Sequence, residues 1–453
     1  MIKQNHSGQA LVTAMVLMGG VVLAFMFSFQ IASIIKSKSK LLTAVDAAAF
    51  SVAQEQASVL NTISYLNRAQ IAHQVALAHI VTMASAEQFR KTLSIQSSSQ
   101  LPPAGVIGML FGPAHASAYI ASRIGAAKGL ANTTQFLAAL MRHDQTVHRL
   151  IYRTQHALVH NWDSRKSRVF ERAMSKNLDY SDDANGLMTY DQLGVQWRSD
   201  LDQMKSLIQF ATGRDEQWMA MINAAISSHD YLNDRDYAVK NKWVVSPKCP
   251  WRRHALRRRG KTQINSQGRW QADDTISYHS VRSNKWIGCY MREYPMGWSS
   301  VVPNHSVNEM NADAPRTFSS QAYWKWAKIR YGSNKKMNAL DRNRLAEAWA
   351  DQESLNMNGL GMPEFPRLAE GQISSISTDF VVKQDLFQAL FRNSPIKRSL
   401  LSKLMPGWMD GLNISTYSVA KASFFRPINE NNSNHMASSL FMPYWQASIS
   451  TKN

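Results

Sequence analysis

Cysteine occurs only twice in 453 residues, which excludes a small domain stapled by several disulfides and any zinc site made of four thiolates. Acidic residues are also scarce: 32 Asp and Glu stand against 51 Lys and Arg, a formal charge of +19. Charged residues still amount to only 18% and hydrophobic ones reach 45%. That balance excludes both a disordered polyelectrolyte and a membrane protein of many spans. Catalytic signatures are missing as well. There is no Gly-x-Ser-x-Gly elbow, no P-loop and no Rossmann glycine fingerprint, so nothing argues for an enzyme and no cofactor is expected. No internal repeat is visible. At roughly 150 residues per domain, the length suits a long helix with one or two folded domains.

Charge is absent between Ser7 and Ile35, and Ala10 to Ile35 reads ALVTAMVLMGGVVLAFMFSFQIASII. At about 1.5 Å per residue, a helix of this length crosses a ~30 Å hydrocarbon core. The rival reading is a cleaved secretory signal. The run is longer than the roughly 7–15 apolar residues of such a segment, and no clear small-x-small site follows it. A retained membrane anchor is therefore predicted over residues 1–40. No later stretch competes, because Val106 to Tyr119 is short and interrupted by Pro113 and His115.

Proline and glycine are both absent from Leu41 to Leu93. Within that stretch Leu42, Val45, Ala49, Val52, Gln56, Val59, Ile63, Leu66, Ile71, Val75, Ala78 and Val81 recur at near-helical spacing. The pattern predicts one nearly continuous helix from about Gly8 to Leu93, with residues 41–95 as a stalk. A stripe leaving a bilayer has to be covered. A helix over Ala114 to Trp162 reaches part of it, leaving Leu42 to Val59 for a partner. Leu42, Val45, Asp46, Ala49 and Val52 are the expected partner-binding residues.

The segment Gly8-Gln9-Ala10-Leu11-Val12, the apolar span, and Leu41-Leu42-Thr43-Ala44-Val45-Asp46-Ala47-Ala48-Ala49 follow one another in a telling order. Together they resemble the N-terminus of TadE/TadG-like proteins, the pilin-like components of Tad (Flp) pilus assembly in bacteria. The match covers about the first 55 residues. Ala420 to Pro427 (AKASFFRP) and Leu440 to Trp445 (LFMPYW) add a weaker similarity to the closing segments of such proteins. The resemblance implies a single-pass protein of the bacterial inner membrane with its body in the periplasm. Its partners would be other pilus-assembly or secretion components. The flanking charges lean the other way by one, since Lys3 and the amine precede the span while Lys36, Lys38 and Lys40 follow it; long domains override such a margin. Two family features are missing. Thr13 stands where pilin-like members often carry a glutamate five residues after the glycine, so neither processing nor filament entry is carried over. The Asp-x-Ser-x-Ser metal motif of von Willebrand A domains is absent too.

Beyond the Ser97-to-Pro103 break, the chain reads as α+β, mainly helical over 96–240 and mixed over 241–453, with a small antiparallel sheet. Helices are expected at Ala114 to Trp162, Ser199 to Ser228, Arg342 to Leu355 and Val382 to Arg392. Extended segments are expected at Trp243 to Val245, Thr275 to Tyr278, Trp286 to Tyr290, Tyr417 to Phe425 and Leu440 to Ile449.

Three side-chain groups could carry chemistry. Cys249 and Cys289 would form a disulfide outside the cytoplasm, the alternative being two buried thiols. Arg252, Arg253, Arg257, Arg258, Arg259 and Lys261, beside Trp251 and His254, could meet phosphates of nucleic acid, lipid head groups or anionic polymers; the alternative is a solvated basic loop. His156 and His160 share a helical face with His148 two turns earlier. A zinc site there would need a third ligand, and polar histidines on a helix surface are the reading preferred. Ser181 to Gln192 faintly resembles a calcium loop, but Ser181 and Gln192 replace both anchoring carboxylates, leaving an Asx-rich turn. Two functions follow. One is a structural component of a Tad-type pilus or related secretion apparatus, and the other an envelope-anchored module that binds DNA or anionic polymers through the basic cluster.

Overall fold

The structure is a computed structural model that describes residues 7–99, 104–127, 133–178, 194–197, 203–211, 215–242, 247–264, 270–284, 288–303, 355–359, 361–362, 364–369, 375–385, 412–425 and 438–450. Helices α1 (Ser7–Ser99), α2 (Ala104–Phe111), α3 (Pro113–Ala127), α4 (Thr133–His160) and α5 (Trp162–Asn177) come first. Strand β1 (Gly194–Trp197), helix α6 (Gln203–Leu207), strand β2 (Ile208–Ala211) and helix α7 (Glu216–Ser227) follow. The remaining strands are β3 (Arg235–Lys240), β4 (Ala255–Ile264), β5 (Trp270–Asn284), β6 (Gly288–Pro303), β7 (Leu355–Gly359), β8 (Phe365–Leu368), β9 (Ser375–Asp385), β10 (Asn413–Phe424) and β11 (Trp445–Ile449). The class is mixed helix and sheet, headed by one long apolar helix. The helix expected from about Gly8 to Leu93 is present without a break between Ile35 and Asp46.

The chain forms two compact units from interleaved stretches. The first unit takes residues 1–64, 156–209 and 367–453. Its sheet is antiparallel in the order β1-β9-β10-β11. Alternation of side chains at period two sends Ile376, Thr378, Phe380, Val382 and Gln384 of β9 inward, with Ile414, Thr416, Ser418, Ala420 and Ala422 of β10. On α1 the buried set is Leu41, Ala44, Val45, Ala48, Ala49, Val52, Ala53, Gln56, Ala57, Val59, Leu60, Ile63 and Ser64, close to a three-and-four repeat. Small side chains on helix and strand let the two backbones approach closely. Polar bonds then fix the helix on the sheet. Asn61 donates from Nδ2 to the Trp445 carbonyl at 2.9 Å and accepts at Oδ1 from the Trp445 N–H at 3.0 Å. Thr378 donates to Gln56 Oε1 at 3.4 Å. At the β1 edge Phe170, Trp197 and Phe380 meet edge to face, with the Lys166 ammonium 4.0 Å above the Trp197 ring.

The second unit takes residues 65–155 and 210–366. Its sheet runs β3-β4-β5-β6-β7. The first three pairings are antiparallel, as expected, while β6 and β7 pair in parallel. A register shift falls between Ile276 and Ser277. Opposite Ile276, Gly297 brings β6 against α1: a Cβ there would lie 2.2 Å from the Ser85 carbonyl oxygen, so no larger residue fits. Ile276 and Met296 form a small core with Phe89, Leu256 and Tyr278. Asp215 caps α7 through the Trp218 N–H at 3.1 Å, and the Trp218 indole stacks on Phe365 at 5.7 Å.

Two expected helices are corrected. Ser199 to Ser228 is divided into α6, β2 and α7, because Ile208 to Ala211 pairs with β8 as a strand. Val382 lies in the middle of β9 and is fully buried there. The Ala114 to Trp162 region comprises α3, α4 and the start of α5. Among the extended segments, Thr275 to Tyr278 lies in β5, Tyr417 to Phe424 in β10 and Trp445 to Ile449 in β11. Trp243 to Val245, Trp286, Ile287, residues 342–354, residues 386–392 and Ser181 to Gln192 lie outside the described residues.

Candidate functional site

The first third of α1 is an apolar rod. Leu11, Met15, Met18, Leu23, Phe25, Phe29 and Ile35 are all exposed, Phe29 to 75%. This is one helix long and apolar enough to cross a membrane, and none of its most apolar stretch is buried. Gly19 and Gly20 have nothing within 4 Å of where a side chain would sit.

Just beyond, the expected partner-binding residues divide into two groups. Val45, Ala49 and Val52 are fully buried, Asp46 is half-buried, and Leu42 is 42% exposed. The expectation that the chain leaves Leu42 to Val59 uncovered is therefore corrected. Strand contacts from more than 300 residues away reach this stretch at Gln56, through Thr378 of β9, and just beyond it at Asn61, through Trp445 of β11. What remains outside is a different row of the same helix, Leu42, Asp46 and Phe50, spaced four residues apart.

The basic cluster resolves along β4. Successive side chains of a strand point to opposite faces, and here they find different carboxylates. Arg257 and Arg259 share Asp236: Arg257 Nε donates to Oδ1 at 2.6 Å, and Arg259 Nε lies 3.5 Å from the same oxygen. Arg258 turns the other way, onto Asp274 at 3.1 Å and the Thr82 carbonyl at 3.3 Å. Asp274 is wholly buried and also accepts from Arg235 at 2.9 Å and from the Ser85 hydroxyl. The hydrogen bond from Arg257 holds the Asp236 carboxyl below the usual range. Arg259 is itself buried. Three of the six basic residues thus lie on a strand and pair with carboxylates of the same unit, which corrects the reading of a solvated basic loop for them. Lys261 is half-buried and its backbone N–H donates to Asp273 Oδ1 at 3.2 Å. Burial pushes the Asp273 carboxyl up to about 6, against the opposing Lys261 N–H. Arg253 is half-buried and donates to the Pro250 and Arg252 carbonyls. Arg252 is exposed beside Trp251, which is 93% exposed.

Cys249 and Cys289 form a disulfide with Cα atoms 5.9 Å apart. It closes a loop of 40 residues that contains β4 and β5, a constraint of about 4 kcal/mol on the loop-entropy model.

One cluster escaped the sequence. His148 is buried rather than on a helix surface, while His156 is half-buried and His160 exposed. Its neighbours come from α1: His73 Nε2 lies 2.9 Å from Asp144 Oδ1, His148 Nε2 lies 3.3 Å from the same oxygen, and the Gln74 amide nitrogen is 2.7 Å from His148 Nε2. The i, i+4 spacing of Asp144 and His148 was the one legible signal. The His73 contribution is separated from it by 71 residues.

Comparison with protein families, with characterised proteins and with solved structures yields no match to this chain.

Proposed function

We propose that the chain is a membrane-anchored, pilin-like structural component of a Tad-type bacterial pilus or related secretion apparatus, held in the inner membrane with its body in the periplasm. The carrying observation is the junction on α1. An exposed apolar helix long enough for a bilayer continues without a break into a stretch that a folded sheet encloses, so anchor and body share one rod. The residues that resemble TadE/TadG-like proteins lie on both sides of that junction. The disulfide supports an oxidising compartment for the body.

Contact with other assembly components falls to the row Leu42, Asp46 and Phe50, since Val45, Ala49 and Val52 are enclosed. The alternative of a DNA- or polymer-binding module would have to use Arg257, Arg258 and Arg259 while they are paired with Asp236 and Asp274 of the same unit. The test combines a C-terminal alkaline phosphatase fusion with a photo-crosslinking residue at Phe50 in living cells. An active fusion, an adduct with a pilus-assembly or secretion component, and loss of surface pili or of secretion in Leu42→Asp are the expected results. An inactive fusion, or Leu42→Asp cells that assemble and secrete as the parent does, would overturn the reading.

A further inference from the structure

We propose that His73, Asp144 and His148 form a binding site for one divalent transition-metal ion of the zinc class. Their ligand atoms, two imidazole nitrogens and a carboxylate oxygen, all lie within 4.8 Å of one another. Two of the three separations are 2.9 and 3.3 Å. An ion held at about 2.0–2.1 Å in tetrahedral geometry places neighbouring donors a little over ~3 Å apart, close to these two separations. The site rests on the second unit alone and does not depend on the pilus reading.

The placement of protons accommodates an ion as well as a simple hydrogen-bond cluster. His148 Nε2 faces both the Gln74 amide nitrogen at 2.7 Å and the Asp144 carboxylate at 3.3 Å. If the amide donates to Nε2, the nitrogen's lone pair also faces the Asp144 oxygen, acceptor against acceptor. If the amide is turned, Nε2–H is shared between two oxygens. Nδ1 then carries the lone pair, whereas with an ion on Nε2 it carries the proton, and in both states it has no hydrogen-bond partner among the described residues. An ion takes the lone pairs of both imidazoles and the carboxylate together. With the amide turned, Gln74 Oε1 stands beside it as a neutral oxygen.

The supports are rigid. The donors sit on α1 and α4, which run antiparallel here: Asn67 accepts from Gln155 at 2.8 Å, seven residues along each helix from the Gln74–His148 contact. Asp144 and His148 are buried, while the His73 side chain keeps 12% exposure, which provides the approach. Two imidazoles with one carboxylate suit zinc and its neighbours rather than magnesium or calcium, which prefer all-oxygen shells. His148 Nδ1 has no second-shell acceptor among the described residues, which weakens binding by about 10–100-fold relative to a site that has one.

The experiment uses the full-length chain in detergent, without a histidine tag, stripped by chelator and titrated with Co²⁺ and then Zn²⁺. One Co²⁺ per chain with tetrahedral visible absorption, displaced by Zn²⁺, is expected. His73→Gln and Asp144→Asn should each weaken it by at least tenfold; circular dichroism confirms the fold, and His73→Gln, at the exposed edge, serves if Asp144→Asn does not fold. His156→Gln and His160→Gln should leave binding unchanged. Absence of the tetrahedral band, or folded His73→Gln protein that binds Co²⁺ as the parent does, would overturn the proposal.

Discussion

Two stretches of α1 solve the same packing problem with different chemistry. Over residues 41–63 the helix meets its sheet through Ala, Val and Leu, whereas over 67–85 it buries Asn67, Gln70, Gln74, Thr82 and Ser85. The periodicity is that of one helix; the forces differ. Burial of small apolar groups is non-directional, worth about 25 cal/mol per Å², and small side chains set how closely the backbones approach. Buried amides and hydroxyls contribute only ~1 kcal/mol net when paired but cost more when orphaned, so they fix register. The first stretch is mainly apolar, with polar bonds at Gln56 and Asn61, whereas the second interleaves its buried polar side chains with Ile71, Leu77, Ala78 and Val81. Asp274 is the extreme of the second kind, a fully buried carboxylate facing Arg235, Arg258 and Ser85.

The largest expected break in this contrast is Asp274→Ala. It leaves two guanidinium groups without their carboxylate and should cost about 3–5 kcal/mol, read as a lower urea midpoint for the second unit. A second difference is in pH response. Burial lowers the Lys166 ammonium of the first unit to about 8, against the opposing fields of Asp163 and Asp379. The folded chain therefore lacks a proton that the unfolded chain holds between 8 and 10.5, and stability rises with pH across that window by up to about 3 kcal/mol. Asp273 of the second unit behaves oppositely. Between 3.8 and about 6 the folded chain keeps a proton that the unfolded one has lost, so stability falls as pH rises. Unfolding titrations of Lys166→Met and Asp273→Asn should each abolish one of these slopes and leave the other. Ala48→Leu, by overfilling the helix–sheet contact, should cost about 1–3 kcal/mol in the first unit. The smallest effect is a double-mutant cycle on Asn67 and Gln155, whose coupling should reach only about 1 kcal/mol.

The stripe on α1 was legible because one helical period runs through it: Val45, Ala49, Val52, Gln56, Val59 and Ile63 all prove buried. Leu42 was misplaced by a single step, since Leu41 takes the inner position. What covers the stripe was not legible. Asn61 meets Trp445 and Gln56 meets Thr378 across more than 300 residues, and no local pattern records such pairings. Val382 was read as helical because a short apolar run fits either period until its strand partners are known. The consecutive arginines suggested a charged surface because their carboxylates, Asp236 and Asp274, are 21 and 16 residues from Arg257 and Arg258. The His73 pairing was hidden by the same separation.

One helix, α1, is long and apolar enough to cross a membrane over its first third and belongs to a folded core beyond it. Removing residues 1–36 tests this most directly, by comparing the truncated and full-length chains in detergent phase partitioning and circular dichroism. The account predicts that the full chain partitions with detergent. The truncated chain should stay in the aqueous phase, folded, with Cys249 and Cys289 still joined. A truncated chain that remains with the detergent, or a full chain that is soluble without it, would contradict the claim.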